Sequence, residues 1–169
     1  MKICILYGGT SSEREVSIKT GESVYDSIHK EHNVSMFDFE GDYDKLYDNV
    51  RDLDLVFIAL HGGEGENGTV QKFLETKNIK FTGSNSKASE KAMDKNFVKL
   101  LCKKYNIPTP NWLKFEKGNL GNSTELKETY ELFGEGFVIK PVDEGSSFGI
   151  SICDSQLIKS GDFESLLDV

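Results

Sequence analysis

The residues best suited to chemistry lie in one loop, "KPVDEGSSFGI" at positions 140–150. The apolar run "GFVIK" before this loop predicts a strand that ends near Lys140. The Lys140 ammonium offers three donors and a positive charge to phosphate oxygens, and Ser146 and Ser147 add hydroxyl and backbone N–H donors. The flanking glycines let a loop approach a phosphate chain and move as a lid. A solvated hairpin is the alternative, because serine and glycine are also common turn residues.

A second lysine that could bind phosphate lies in "AMDKNFVK". Asp94 is placed to cap a helix, which puts Lys95 in the first helical turn. A cation is unfavourable there unless an anion is also present, although a lysine on a solvated helix face is the more common case. Together, Lys95 and Lys140 make a two-lysine phosphate clamp plausible. Neither stretch has the G-x-x-x-x-G-K-[ST] order of a Walker A loop.

Two glycine-rich segments, "GGTSSERE" and "LHGGEGENG", each follow an apolar run. Glu13 in the first segment is either a partner of a helix terminus or a carboxylate that receives a substrate ammonium; spacing alone favours the first role. His61 stands at the start of the second segment, and three flexible glycines follow it closely. The first segment lacks the G-x-G-x-x-G order, which argues against a dinucleotide-binding dehydrogenase.

The elements that must position these residues alternate between strand and helix at first. "KICILY" and "DLVFIAL" predict strands buried on both faces, so we expect a parallel α/β domain over residues 1–84. Ligands of such sheets bind at the carboxyl ends of the strands, where both glycine-rich segments lie. Residues 85–169 predict an α+β domain: a helix interrupted near Asp94, then "NWLKFEKGN" as a strand, "STELKETYELFG" as a helix and two further strands. The second domain looks unfinished at its end.

Composition excludes several classes of protein. The net charge of -8, from 20 basic and 28 acidic residues, argues against general nucleic-acid binding. No apolar run reaches the ~18 residues of a membrane span, and no signal-peptide cleavage pattern follows the first apolar run, so we expect a cytoplasmic protein. Three scattered cysteines indicate free thiols rather than disulfides or a zinc site.

Six stretches, taken in order, resemble the D-alanine–D-alanine ligase family of the ATP-grasp superfamily. They cover nearly all of residues 1–152, and two small departures are Asn67 in "GENG", where the family usually has an acid, and Phe81, where it usually has tyrosine. The stretches are "GGTSSEREVS", "FIALHGGEGENGTVQ", "FTGS", "AMDK", "IPTPNW" and "VIKPVDEGSSFGIS". The resemblance implies a Rossmann-like parallel first domain and an incomplete ATP-grasp central domain.

The resemblance also implies a reaction and a set of roles. ATP phosphorylates the carboxylate of one D-alanine, and the amine of a second attacks the acyl phosphate, giving the dipeptide for peptidoglycan precursors. By this resemblance Glu13 and Ser146 are catalytic, while Glu13, Val16 and His61 bind the first D-alanine. The residues implied to bind ATP are Lys95, Lys140, Glu144, Gly145, Ser146 and Ser147.

The resemblance implies Mg²⁺, with Mn²⁺ as the alternative, as the metal that accompanies ATP, with no metal ligand in this chain. It also implies a homodimer formed through the first domain, with no nucleic-acid or membrane partner. Family members run to roughly 300 residues, so we expect the chain to be a fragment that is inactive alone. A D-alanyl-D-lactate or D-alanyl-D-serine ligase, or a non-catalytic binding or dimerising module, remains the alternative.

Overall fold

The computed structural model describes residues 1–115, 129, 131–133, 136–145 and 149–154. The chain divides into two compact units, Met1–Asp94 and Lys95–Val169. Within the described residues, no helix is both long and apolar enough to cross a membrane.

The first unit is built on a three-stranded parallel sheet. Its strands are β1 (Lys2–Gly8), β2 (Asn33–Phe39) and β3 (Leu55–Ile58), in the order β2-β1-β3. Both sheet strands predicted from the apolar runs are therefore present, and the parallel α/β class is confirmed. The central position of β1 explains its continuous apolar sequence, since a strand with neighbours on both sides and helices over both faces exposes almost no side chain.

The register brings the carboxyl ends of β1 and β3 side by side. Cys4 lies opposite Ser35 of β2 and Val56 of β3.

The stretch "IKFTGS" contributes one parallel bridge, between Phe81 and Val56. Burial raises the pKa of the Cys4 thiol to about 11, which agrees with its place in the core.

Five helices complete the first unit. Asp42 caps α2 by accepting hydrogen bonds from two backbone N–H groups of its first turn, and Asn85 caps α5 by accepting from Ala88 N at 2.9 Å. Such caps satisfy N–H groups that have no partner inside the helix. The helices are α1 (Arg14–Ile28), α2 (Tyr43–Val50), α3 (Gly63–Glu66), α4 (Thr69–Thr76) and α5 (Ser86–Met93).

The core of the first unit lies between the sheet and these helices. It consists of apolar side chains that are buried and in mutual contact, among them Leu6, Phe39, Leu46, Val56, Val70 and Leu74. Burying aliphatic and aromatic side chains of this size stabilises the fold by about 1.5–3 kcal/mol each. This rigid base holds the two glycine-rich segments in place.

The division between the units falls ten residues later than the predicted boundary at residue 84. Helix α5 belongs to the first unit because Ser86 binds Glu75 of α4 twice, through its backbone N at 2.9 Å and its hydroxyl at 2.5 Å. The helix interruption predicted near Asp94 is present: α5 ends at Met93 and the next helix begins at Lys95.

The second unit contains helix α6 (Lys95–Lys104) and an antiparallel pair, β4 (Gly136–Ile139) and β5 (Ser151–Asp154). The change from parallel to antiparallel pairing confirms the predicted change to α+β. The strand predicted from "NWLKFEKGN" is absent over residues 111–115, which have no regular secondary structure. Most of the predicted helix at 123–134 lies outside the described residues.

Candidate functional site

In the first unit, two serines join the glycine-rich segments at the ends of β1 and β3. Ser11 Oγ donates to His61 O at 2.7 Å, and Ser17 Oγ accepts from His61 N at 2.9 Å. Ser11 Oγ also accepts from Glu13 N at 3.1 Å, and Ser17 Oγ lies 3.3 Å from Glu13 O. The backbone N–H and C=O of His61 are thus fixed by one side chain from the first segment and one from α1, so the two segments form one site.

Glu13 precedes helix α1 but does not cap it. Its side chain makes no capping hydrogen bond, and the residue is only 7% exposed. The carboxylate instead faces the second segment, because a Cβ added at Gly62 would stand 2.8 Å from Glu13 Oε1. A helix-terminus carboxylate would normally lie in solvent beside its own first turn. The structure therefore gives Glu13 a place between the two segments, not the capping role that spacing favoured.

The His61 imidazole lies between two polar side chains. Its Nε2 is 2.9 Å from Thr20 Oγ1 on α1, and its Nδ1 is 3.8 Å from Glu66 Oε1 at the end of α3. The glycines of the second segment are typical of a loop, but residues 63–66 form one helical turn. Gln71 supports that turn by donating from Nε2 to Gly65 O at 2.6 Å.

The remaining predicted residue of this group, Val16, lies on the first turn of α1 and is 47% exposed. The start of α1 is anchored by Arg14, whose guanidinium binds both carboxylate oxygens of Asp38 at 2.8 and 2.6 Å. Paired N–H···O bonds of this kind fix orientation as well as distance. Arg14 therefore ties the segment that carries Glu13 to the end of β2.

In the second unit, Lys95 holds the loop that follows β4. Its backbone N donates to Val142 O at 2.9 Å, and its ammonium contacts Val142 O at 3.4 Å and also Glu144 O. The predicted loop residue Glu144 thus contributes its carbonyl here and has an exposed side chain, while Gly145 directly follows it. Lys140 and Lys95 are brought to the same loop, as the two-lysine clamp requires.

These lysines border a cavity of about 590 Å³ within the second unit, which we call the lysine cavity. Lys95, Lys99, Lys114 and Lys140 line it, and no Asp or Glu does so among the described residues. Its apolar walls come from Trp112, Phe115, Phe133, Phe137 and Ile139. The volume is typical of a small-molecule site. Basic groups beside aromatic and aliphatic walls suit a ligand with an anionic part and a flat apolar part.

Two predicted residues, Ser146 and Ser147, lie outside the described residues. Others at the site were missed by sequence reasoning, although their spacing held a signal. Ser17 and Thr20 are three residues apart and share a face of α1; Lys99 is one helical turn from Lys95. In the described part of the chain, no group of three His, Cys, Asp or Glu side chains is placed to hold a metal ion.

Residues 41–84 match the family model described as D-ala D-ala ligase N-terminus. The D-alanine–D-alanine ligase of Aquifex aeolicus is 40% identical over 156 residues, which are 92% of this chain and 51% of that protein. The chain is therefore similar to the D-alanine–D-alanine ligases. It spans about half the length of the curated relatives that it matches.

Solved structures of D-alanine–D-alanine ligases have the same fold as this chain over the matched length. The D-alanine–D-alanine ligase of Bacillus anthracis is 33% identical, with a TM-score of 0.83 over 99% of this chain and 54% of that one. The same enzyme complexed with ATP is 31% identical, with a TM-score of 0.80 over 99% of this chain and 55% of that one. These matches agree with the interpretation of the chain as part of a D-alanine–D-alanine ligase.

Proposed function

We propose that this chain provides the N-terminal half of an ATP-dependent ligase that joins two D-alanines for peptidoglycan precursors. The observation that carries the proposal is the lysine cavity: its described lining has four lysines and no acid, in a chain with a net charge of -8. Local positive charge of this kind attracts an anion that the whole surface would repel. ATP combines such an anion with a flat base for the apolar walls.

The reaction has two steps. A carboxylate oxygen of the first D-alanine attacks the γ-phosphorus of ATP, which forms an acyl phosphate and releases ADP. The amine of the second D-alanine then attacks the acyl carbon, loses a proton and expels phosphate. Phosphoryl transfer depends mainly on positioning and on neutralising charge. Lys95 and Lys140 are suited to this task.

In the first unit, the proposal gives Glu13 the ammonium of the first D-alanine, with Val16 and His61 beside it. The buried carboxylate at the end of a parallel strand supports this role, because a cation there gains a charge-assisted hydrogen bond. Ser146 is proposed to join the catalytic hydrogen-bond network. Glu144, Gly145, Ser146 and Ser147 are proposed to form the loop over the phosphates.

The metal that accompanies ATP, Mg²⁺ or alternatively Mn²⁺, is assigned no ligand among the described residues. It would supply further charge neutralisation at the phosphates. The same proposal includes a cytoplasmic location and pairing of two copies through the first unit. Sedimentation equilibrium at several concentrations tests the pairing, and a single species of about 19 kDa throughout would contradict it.

Separate titrations of ATP and D-alanine, each with one variant per site, test the two ligand sites. ATP and D-alanine are titrated separately into the ¹⁵N-labelled 169-residue chain. ATP should shift resonances of residues that line the lysine cavity, and D-alanine should shift those of Glu13 and His61. Lys140→Ala should weaken only the ATP response, and Glu13→Gln only the D-alanine response. If both variants respond as the unchanged chain does, the assigned sites are wrong.

A coupled assay tests the expectation that the chain is inactive alone. With ATP, D-alanine and Mg²⁺, we expect no D-alanine-dependent release of ADP by the 169 residues. D-alanine-dependent release of ADP and dipeptide would contradict that expectation and leave the ligase assignment intact.

A further inference from the structure

The segment "IPTPNW", residues 107–112, forms part of the wall of the lysine cavity without any regular secondary structure. Two of its residues are prolines, which have no N–H to donate to a neighbouring strand or helix. Its described backbone contact to helix α6 is a single bond from Ile107 N to Cys102 O at 2.8 Å, at its first residue. The position of its second half must therefore depend on side chains.

One ammonium group makes most of the described side-chain contacts to that second half. Lys99 Nζ on α6 donates to Thr109 Oγ1 at 2.6 Å and to Pro110 O at 3.0 Å. It also lies 5.9 Å from the centroid of the Trp112 ring, within the range of a cation–π interaction. Asn96, on the same helix, accepts from Trp112 Nε1 at 3.0 Å. These four contacts hold Thr109, Pro110 and Trp112 against α6.

We propose that Lys99 is a positioning residue of the lysine cavity: it holds residues 109–112 against α6 and so fixes the wall that Trp112 forms. Its three contacts engage the ammonium with protein groups. Lys140, in contrast, has no hydrogen bond or ion pair among the described residues. The inference rests on the proposed function only where it concerns ATP. The placement of Trp112 is a property of the chain by itself.

The chain offers a specific probe, because Trp112 is its one tryptophan. Its indole N–H gives a single side-chain NMR resonance, and its fluorescence reports this wall alone. Lys99→Met keeps the apolar stem and removes the charged donor. Lys103→Met makes the same change one helical turn later, at an exposed lysine of α6 without a described side-chain contact, and is the matched control.

Without nucleotide, Lys99→Met should shift the indole resonance and increase quenching of Trp112 by acrylamide, while Lys103→Met should change neither. Thr109→Val removes one acceptor, leaves the lysine in place and should produce a smaller change in the same direction. This variant keeps the inference testable if Lys99→Met does not fold. Unchanged indole resonance and quenching in both Lys99→Met and Thr109→Val would overturn the inference.

Nucleotide titrations then separate positioning from direct contact. If Lys99 positions the wall, Lys99→Met should raise the Kd for ATP and for adenosine by the same factor, roughly fivefold, as expected when a partly exposed charge-assisted contact is lost. A loss confined to ATP would mean that the ammonium binds phosphate directly, and would overturn the positioning role. If the unchanged chain binds no nucleotide while the indole still shifts in Lys99→Met, the proposed ATP site fails and the positioning of Trp112 stands.

Discussion

Gly62 offers a sharp test of the contact between the two glycine-rich segments. Its φ of +67° and ψ of 173° lie in a region that essentially only glycine adopts, and a residue with a Cβ is destabilised there by about 1–3 kcal/mol. In addition, an alanine Cβ would lie 2.8 Å from Glu13 Oε1, closer than such atoms approach in proteins. Because the carboxylate is the end of a flexible side chain, we expect Glu13 to move rather than the backbone.

Gly83 is the matched control. Its φ is +97°, and no atom lies within 4 Å of the position that a Cβ would take. Gly83→Ala therefore carries the backbone penalty alone. Moving the buried Glu13 carboxylate out of its place should add about 1–3 kcal/mol, the cost of leaving a buried polar group without its partners. Gly62→Ala should lower the free energy of unfolding by that much more than Gly83→Ala does.

Urea unfolding followed by far-UV circular dichroism measures this difference, and D-alanine titration by NMR measures its consequence. Gly62→Ala should weaken the D-alanine response of Glu13 and His61, and Gly83→Ala should leave it nearly unchanged. Equal free energies of unfolding for the two variants, with equal D-alanine responses, would refute the reasoning: the carboxylate would then not be held against Gly62.

Three further predictions follow from the site and the core. In a protein that continues this chain to the length of its relatives, Glu13→Gln should raise the KM for the first D-alanine and leave the KM for ATP nearly unchanged, since it removes one charge from the amine subsite. In the same protein, Lys140→Ala should raise the KM for ATP and slow turnover, because it removes a charged phosphate contact worth roughly 1.5–3 kcal/mol. Burial raises the pKa of the Cys4 thiol to about 11 in the folded state. Between about pH 9 and 11 the thiol therefore keeps its proton in the folded state and loses it in the unfolded state. The free energy of unfolding, measured by urea titration, should fall over that pH range.

For each of these three predictions, one result would contradict it. A lower melting temperature for Glu13→Gln with unchanged kinetics would mean that Glu13 is structural. An unchanged rate of Lys140→Ala at limiting ATP would leave that lysine a surface residue. Replacement of Cys4 by alanine should remove part of the alkaline fall in stability, and an identical pH profile in that variant would show that other groups cause it.

The sequence was sufficient to predict elements whose cause is local. The apolar runs of β1 and β3 predict strands buried on both faces, and Asp94 lies where one helix stops and another begins. The two glycine-rich segments were predicted to lie at strand ends because each directly follows one of these apolar runs. The role of Glu13 between the segments could not be predicted from spacing, because it depends on Gly62, 49 positions away in the chain.

The errors share a physical cause, which is that distant contacts outweighed local composition. The glycines of residues 63–66 indicate a loop, yet the turn is helical and is supported by Gln71 from α4. The β-prone residues of "NWLKF" predict a strand, but its Trp112 is instead held by Asn96 and Lys99 of α6.

The order of the strands has a consequence for synthesis on the ribosome. β1 is translated first but lies in the centre of the sheet, so one of its edges stays open until β3 (Leu55–Ile58) has emerged. A nascent chain that pauses before that point exposes an apolar strand edge, which is a template for pairing with other chains. Once Asp94 has emerged, every strand and helix of the first unit is available, and the unit can close before the rest of the protein is made. A pause in synthesis is therefore expected to be most harmful before β3 has emerged and less harmful once Asp94 has emerged.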